Sequence, residues 1–305
     1  MTSQPGPEPD LGTAVRRATM TLAEAGIASA PVDALVLAAH LLGEGTGEVR
    51  RRMVLGGSPA PSGYAALVAE RATRVPLQHL TGRAGFRHLE LAVGPGVFMP
   101  RPETELLVEL ALTALAGMPG APIVVDLATG SGAIALSLKQ ECPRAQVSAV
   151  ELSELAHAWA VANRDRLGLD VALTLGDARH AYPELVGTVD VVTCNPPYIP
   201  LGQVPVDPEV RDHDPELALY GGSADGLAIP VQLAARAAQL LQPGGVLVME
   251  HAETQGDALP RALSRTGQWG QVTDHLDLLG RPRCLVAVRA EGSAAGPTVT
   301  AVSDS

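Results

Sequence analysis

Four consecutive residues, Asn195-Pro196-Pro197-Tyr198, close the run Val191-Val192-Thr193-Cys194. Asparagine before proline favours extended backbone, so on its own this reads equally as a turn that ends a strand. The residue types also suit a defined task. An amide or ring-amine nitrogen is a poor nucleophile, because its lone pair is delocalised. It reacts when acceptors hold its N–H groups and aim the lone pair at an electrophile. Asn195 offers a side-chain carbonyl oxygen, and Pro196 offers a main-chain carbonyl with no competing N–H. Pro197 stiffens the turn, and Tyr198 is a flat wall for a planar group. The four residues describe a slot for a carboxamide or ring amine. A nitrogen alkylated there becomes acidic and can lose its proton to water, so no general base is required.

A second group of polar residues belongs to the same sheet edge. The short strand Ile123–Val125 runs into Asp126-Leu127-Ala128-Thr129-Gly130-Ser131-Gly132, and an apolar helix follows from Ala133 to Gln140. Small residues let a strand turn tightly into a helix and let a ligand approach the backbone, where the helix start offers free N–H groups. Asp126 sits at the mouth of the sheet, where it could bind an amine or fix a water. Strand Val147–Val150 ends in Glu151, about twenty residues past the loop, where an acid accepts hydrogen bonds from ribose hydroxyls. Strand Val171–Leu175 leads into Gly176-Asp177-Ala178, placed to receive an adenine edge. Gly130-x-Gly132-x-x-Ala135 also satisfies the dinucleotide pattern, so from this loop alone a nicotinamide enzyme and a purely structural turn both stay open.

These loops require repeated βα units. A fourth strand spans Val189–Thr193, and a helix spans Ile229–Leu241. The turn Pro243-Gly244-Gly245 leads to a fifth strand, Val246–Met249, and two more strands fit near Gln271–His275 and Cys284–Val288. Such repeats predict an α/β fold with a parallel sheet and helices on both faces. Upstream, Leu11, Val15, Ala18 and Leu22 mark a helix stopped by Gly26. A second runs from near Pro31 to Gly43, and a third from Tyr64 to Val75. They predict a helical domain over residues 11–80. Alternation of Leu89, Leu91 and Val93 between glycines predicts a β-hairpin linker over 81–100. Residues 101–290 form the α/β domain, and residues 1–10 and 291–305 read as disordered tails.

Among 305 residues, 22 are Lys or Arg and 33 are Asp or Glu, for a net charge of −11. That field opposes non-specific binding to DNA or RNA. Aromatics at 3% also argue against base-stacking platforms. The three cysteines are scattered, which predicts no metal site and a reducing compartment. Met1–Asp10 lacks the basic and apolar segments of a signal peptide, and no apolar run is long enough for a membrane span.

Taken in order, Asp126–Gly132, Glu151 and Asn195–Tyr198 resemble the amino-methylating branch of the class I S-adenosylmethionine-dependent methyltransferases. Other segments narrow the resemblance: Pro76-Leu77-Gln78-His79-Leu80-Thr81-Gly82 and Phe98-Met99-Pro100-Arg101-Pro102-Glu103-Thr104-Glu105, then Pro215–Leu219, Gly221-Gly222, Asp225-Gly226-Leu227 and Leu241–Gly245. They are similar to the release factor glutamine methyltransferase family over about residues 11–290. The resemblance implies a Rossmann-like sheet of seven mostly parallel strands behind a helical substrate-docking domain. It implies S-adenosyl-L-methionine as cofactor and a cytoplasmic enzyme. The substrate it implies is the glutamine side-chain nitrogen in the Gly-Gly-Gln loop of class 1 peptide-chain release factors.

On this reading Asn195, Pro196 and Tyr198 are catalytic. Asn195 to Tyr198, with Arg101 and Glu103, bind substrate. Phe98, Asp126, Ala128, Thr129, Gly130, Ser131, Gly132, Glu151, Asp177, Ala178 and Asn195 bind the cofactor. Arg101-Pro102-Glu103 is also an ordinary helix start. Ala128 stands where the family often has glycine, Ala178 where some members have an aromatic. Leu279-Gly280-Arg281-Pro282-Arg283 replaces a more usual Ala-Gly-Arg-Asp-Arg. Glu250-His251 reads as a polar strand end, and Arg50-Arg51-Arg52 as a solvated face. The rivals are a DNA or RNA adenine-N6 methyltransferase, which the charge disfavours, and a ribosomal-protein glutamine methyltransferase, whose family lacks Arg-Pro-Glu-Thr-Glu. No catalytic His/Lys/Tyr set supports an oxidoreductase.

Overall fold

The Asp10 carboxylate accepts the main-chain N–H groups of Gly12 at 3.1 Å and Thr13 at 3.4 Å. It thereby caps the first helix, whose leading donors have no partner within the helix. The computed structural model describes residues 9–292. Residues 1–8 and 293–305 of the expected tails lie outside the described residues, whereas Asp10 is a structured cap rather than tail.

The described chain forms two compact units. In the smaller, α1 (Leu11–Glu24), α2 (Ala30–Leu42), α3 (Thr46–Leu55), α4 (Tyr64–Ala72) and α5 (Leu77–Thr81) follow one another. Leu11, Val15, Leu22, Leu35, Leu37 and Val68 are buried together, and the Tyr64 hydroxyl donates to the Ala34 carbonyl at 2.7 Å. The apolar spacing predicts three helices here. It misses α3, where Val49 is the one buried residue, and the short α5, where none is buried. Arg51 and Arg52 lie on the solvated side of α3 and pair with Glu48 and Glu44. The α4 helix stops short of Val75, because Arg74 adopts φ +73°.

The segment Pro205–His213 belongs to this smaller unit, although its position in sequence assigns it to the α/β domain. Buried charge explains the difference. Arg71, 3% exposed, donates Nε to Asp33 Oδ2 at 2.7 Å, Nη1 to the Val75 carbonyl at 2.9 Å and Nη2 to Glu209 Oε1 at 2.8 Å. Arg74 meets Asp207 and Glu209, each at 3.2 Å.

The expected linker is likewise divided. Its hairpin pairs β1 (Arg83–Phe86) with β2 (Leu89–Ala92), and Ala84–Ala92 joins the larger unit. Asn163 clamps it there, accepting the Ala92 N–H at 2.6 Å and donating to the Ala92 carbonyl at 2.9 Å. Arg87 at the turn pairs with Glu141 at 2.7 Å.

The remaining elements are α6 (Glu105–Ala116), β3 (Ile123–Leu127), α7 (Ala133–Glu141), β4 (Gln146–Glu151), α8 (Glu154–Leu167), β5 (Val171–Leu175), β6 (Val189–Cys194), α9 (Pro208–His213), α10 (Ala228–Leu240), β7 (Leu241–Glu250), α11 (Ala258–Ser264), β8 (Trp269–Leu276) and β9 (Pro282–Arg289). All but α9 lie in the larger unit. The seven-stranded sheet has the order β5-β4-β3-β6-β7-β9-β8. Apolar residues on β3, β6 and β7 are buried on both faces, as a covered parallel sheet requires. From β3 the chain builds outward to β4 on one side and to β6 on the other. That reversal opens a crevice at the carboxyl ends of the strands.

The sheet is mostly parallel, as expected, and its exception is β9, which pairs antiparallel with both β7 and β8. The short connection after β8 cannot carry a crossover, so the chain returns as a hairpin. Strand β7 starts before the expected Val246. Val189 pairs with Leu241 and Val191 with Val246, so Pro243-Gly244-Gly245 forms an irregularity inside the strand. Among the described residues, no helix is long and apolar enough to cross a membrane.

Replacing Arg71 by leucine leaves Asp33 buried without its cation. Breaking a buried pair in this way costs about 3–5 kcal/mol. Urea denaturation should register a loss of that size, and a loss below about 1 kcal/mol would show the pair to be dispensable.

Candidate active site

Leu127 and Cys194 are register partners on β3 and β6, so the glycine loop and Asn195-Pro196-Pro197-Tyr198 leave the sheet side by side. Asp126, opposite Thr193, has no exposed surface. Its carboxylate accepts the hydroxyls of Thr129 at 2.6 Å and Thr193 at 2.8 Å. Burial pushes its pKa up to about 7, against the pull of those two hydroxyls. The open position at the sheet mouth expected for Asp126 is therefore corrected. It lies beneath the loop and ties the loop to β6. Thr129, Ser131 and Gly132 are buried as well, which leaves Ala128 and Gly130 as the parts of the loop with exposed surface.

Ala128 adopts φ +62°, a left-handed conformation that a Cβ disfavours. A Cβ built on Gly130 would meet nothing within 4 Å, so the space beside it is open to a ligand. Glu151 ends β4 and faces this loop. Its Oε2 accepts the Gly130 N–H, and its Oε1 the Ser153 N–H, each at 2.8 Å. A carboxylate has about four acceptor positions, so about two remain for ribose hydroxyls. The donor set thus fits a nucleoside, and Glu151 has the added task of bracing the loop.

Asp177 is turned elsewhere. Arg179 binds it with Nη2 at 2.6 Å and Nε at 2.9 Å, and this pairing lowers the Asp177 pKa. Contact with an adenine edge requires that pair to open. Ala178 packs partly buried against the sheet core.

The slot depends on a partner from the Arg-Pro-Glu-Thr-Glu segment. Asn195 Nδ2 donates to Thr104 Oγ1 at 3.3 Å, and Thr104 is buried. Pro196 is buried, and Pro197 and Tyr198 are half-buried. The Tyr198 hydroxyl donates to Glu250 Oε1 at 3.2 Å, and burial raises both the phenol and the Glu250 carboxyl pKa. Behind the slot, Gln255 Nε2 donates to the carbonyls of Tyr198 at 3.0 Å and Asp225 at 2.9 Å. A Cβ on Gly226 would fall 2.1 Å from the Tyr198 carbonyl oxygen, and one on Gly221 would fall 2.0 Å from that of Gly226. Only glycine lets these segments pass.

Arg101 Nη2 pairs with buried Asp214 at 2.6 Å, and its guanidinium stands 5.2 Å over the Phe98 ring. One face of Phe98 is thus already covered. Glu103 faces Arg281 at 3.6 Å, and Arg281 is held by Asp277 at 2.8 Å. Both ring nitrogens of His251 are taken, by the Ala252 carbonyl and by Asp274. Thr104 and Gln255 escape sequence reading because neither type is diagnostic. For Glu250 the available signal was an acid closing an apolar strand.

Two family models match, the PrmC N-terminal domain over residues 13–82 and the Methyltransferase small domain over residues 88–205. The release factor glutamine methyltransferase of Streptomyces coelicolor is 50% identical over 278 residues, 90% of this chain and 97% of its own. The chain belongs to the release factor glutamine methyltransferase family. The Mycolicibacterium smegmatis member is 46% identical, covering 92% of this chain and 98% of its own. A 4-amino-L-phenylalanine/4-methylamino-L-phenylalanine methyltransferase of Streptomyces pristinaespiralis is 38% identical, covering 92% and 96%.

Within this methyltransferase, Ala128→Gly should relieve a strain of about 1–2 kcal/mol. The greater unfolded-state freedom of glycine takes back about 0.4–1 kcal/mol. A net gain of about 0–1.6 kcal/mol is expected in denaturant unfolding, and a loss would show the loop to be unstrained at Ala128.

Proposed function

We propose that this enzyme methylates the side-chain amide nitrogen of the glutamine in the Gly-Gly-Gln loop of class 1 peptide-chain release factors, in the cytoplasm, with S-adenosylmethionine as methyl donor. One observation carries the reading. The Asn195 NH2 group donates to Thr104, which leaves the side-chain carbonyl for a substrate N–H, at the rim shared with the glycine loop.

When bound, S-adenosylmethionine supplies a methyl group made electrophilic by the sulfonium charge. The protein contributes positioning. Asn195 Oδ1 and the Pro196 carbonyl accept the two N–H bonds of the substrate carboxamide and aim its lone pair toward the rim. Tyr198 stacks on the amide plane, its hydroxyl anchored on Glu250. Glu151 uses its remaining acceptor positions for ribose hydroxyls, and Gly130 leaves room beside the loop. Asp126 works from beneath, holding Thr129 in place. Arg101 and Glu103 border the entrance, and glycines beside the target glutamine let its backbone enter. The charge of −11 disfavours DNA and RNA as substrates.

Mass spectrometry of a release factor co-expressed with the enzyme should show one added methyl on the Gly-Gly-Gln glutamine. Methylation of DNA or of 4-amino-L-phenylalanine, with none on the release factor, would replace this substrate. Asn195→Ala should turn over roughly 10²–10³-fold more slowly, as when one preorganised hydrogen-bonding group is removed from an active site, a far larger loss than in its affinity for S-adenosylmethionine. Undiminished turnover would remove the slot. By calorimetry, Glu151→Ala should weaken S-adenosylmethionine binding by about 1.5–3 kcal/mol, the worth of hydrogen bonds to a charged group. An unchanged affinity would mean that the ribose is held by other residues.

A further inference from the structure

We infer that Gln255 is a positioning residue for methyl transfer: its carboxamide holds the exit of the Asn195–Tyr198 turn and so sets where Tyr198, the wall of the slot, stands. The inference rests on the proposed function and deepens it.

A turn of this kind needs two fixed ends. Its entrance is fixed by the sheet, because Cys194 is in register with Leu127 on one side and Met249 on the other. Pro196 and Pro197 limit the backbone inside it. Its exit lies beyond the sheet. There the Ile199 N–H donates to the Leu219 carbonyl at 2.7 Å, and the Ile199 carbonyl accepts the Gly221 N–H at 2.9 Å. Tyr198 itself is held by a side chain. Gln255 closes the short helical turn Glu253–Gln255 that follows β7, and it is 4% exposed. Its Nε2 donates to the carbonyls of Tyr198 at 3.0 Å and Asp225 at 2.9 Å, and its Oε1 accepts the Ala252 N–H at 3.0 Å.

Chemistry allows this amide one orientation. A carbonyl oxygen can only accept and a main-chain N–H can only donate. The NH2 group must therefore face Tyr198 and Asp225, and the oxygen must face Ala252. All three partners are main chain, which no change of protonation alters. The approach is close: a Cβ on Gly226 would lie 2.9 Å from Gln255 Nε2 and 2.1 Å from the Tyr198 carbonyl oxygen. Glycine at 226 and glutamine at 255 thus serve the same contact. The glycine loop is held separately, by Asp126 on β3 and Glu151 on β4. Gln255 touches no substrate. It acts by keeping the Tyr198 main chain in place, and a misplacement of about 1 Å at a site of reaction can cost roughly 10²-fold in rate.

The test uses the full-length enzyme, a release factor and S-adenosylmethionine. Gln255→Met keeps length and bulk but loses all three hydrogen bonds. Gln255→Glu keeps an acceptor for Ala252 and replaces the NH2 group by an oxygen. Gln255→Met should lower kcat by roughly 10–10²-fold, the scale of a displacement of up to about 1 Å. The KM for the release factor should change little. Calorimetry should show one S-adenosylmethionine bound per chain with wild-type affinity, which also reports that the variant is folded. In a Tyr198→Ala background the same substitution should cost much less, because the ring it positions is gone. Wild-type kcat in Gln255→Met, a loss confined to KM, or losses that multiply in the double variant would overturn the inference. If Gln255→Met binds less than one equivalent, Gln255→Glu decides in its place by the same readings. Wild-type enzyme that leaves the release factor unmethylated overturns the functional reading and this inference together. Active wild type with unimpaired Gln255→Met overturns the inference alone.

Discussion

Leu127 and Cys194 face each other across two parallel strands, and at that level the chain leaves the sheet twice. Strand β3 turns into the glycine loop, and β6 into the Asn-Pro-Pro-Tyr turn. Asp126 couples the two exits, since one of its oxygens holds Thr129 in the loop and the other holds Thr193 on β6. A lone buried carboxylate is expensive, and these hydroxyls offset part of that cost without removing it, so its pKa stays high. Glu151 on β4 adds a third anchor through the Gly130 N–H. Parallel pairing of β3 with its two neighbours thus sets the spacing between the two loops before any side chain at the rim is chosen.

The two loops differ in how they are held. The glycine loop is braced by carboxylates that accept its own main-chain and hydroxyl donors. The Asn-Pro-Pro-Tyr turn is braced by residues remote in sequence: Thr104 at the start of α6, Glu250 at the end of β7 and Gln255 just beyond it. Prolines at 196 and 197 reduce the freedom that these contacts have to restrain. A turn braced in this way is preorganised and needs little rearrangement on contact.

Much of this was legible in the residues. The strand Val171–Leu175 is marked by its own pattern, and the glycine loop and Asn195–Tyr198 are defined by local chemistry that survives any packing. What was not legible depends on partners far away in the chain. Asn195 and Thr104 are separated by 91 positions, so their pairing has no sequence period. Pro205–His213 joins the helical unit because Arg71 and Arg74 need acids, and no hydropathy pattern carries that requirement. The α3 helix is polar on most of its surface, and β9 reverses because of a short connection rather than any property of its own residues. Asp126 is a related case: its place at a strand end was clear, but its depth beneath the loop was not.

The rear of the slot is main chain pressed against main chain. At Gly221 and Gly226 even a methyl group would overlap a carbonyl oxygen. Single substitutions at those two positions are closed to mutational drift, however selection acts on what the enzyme accepts. Variation at this end of the sheet is therefore left to side chains, over a main-chain back wall that stays the same.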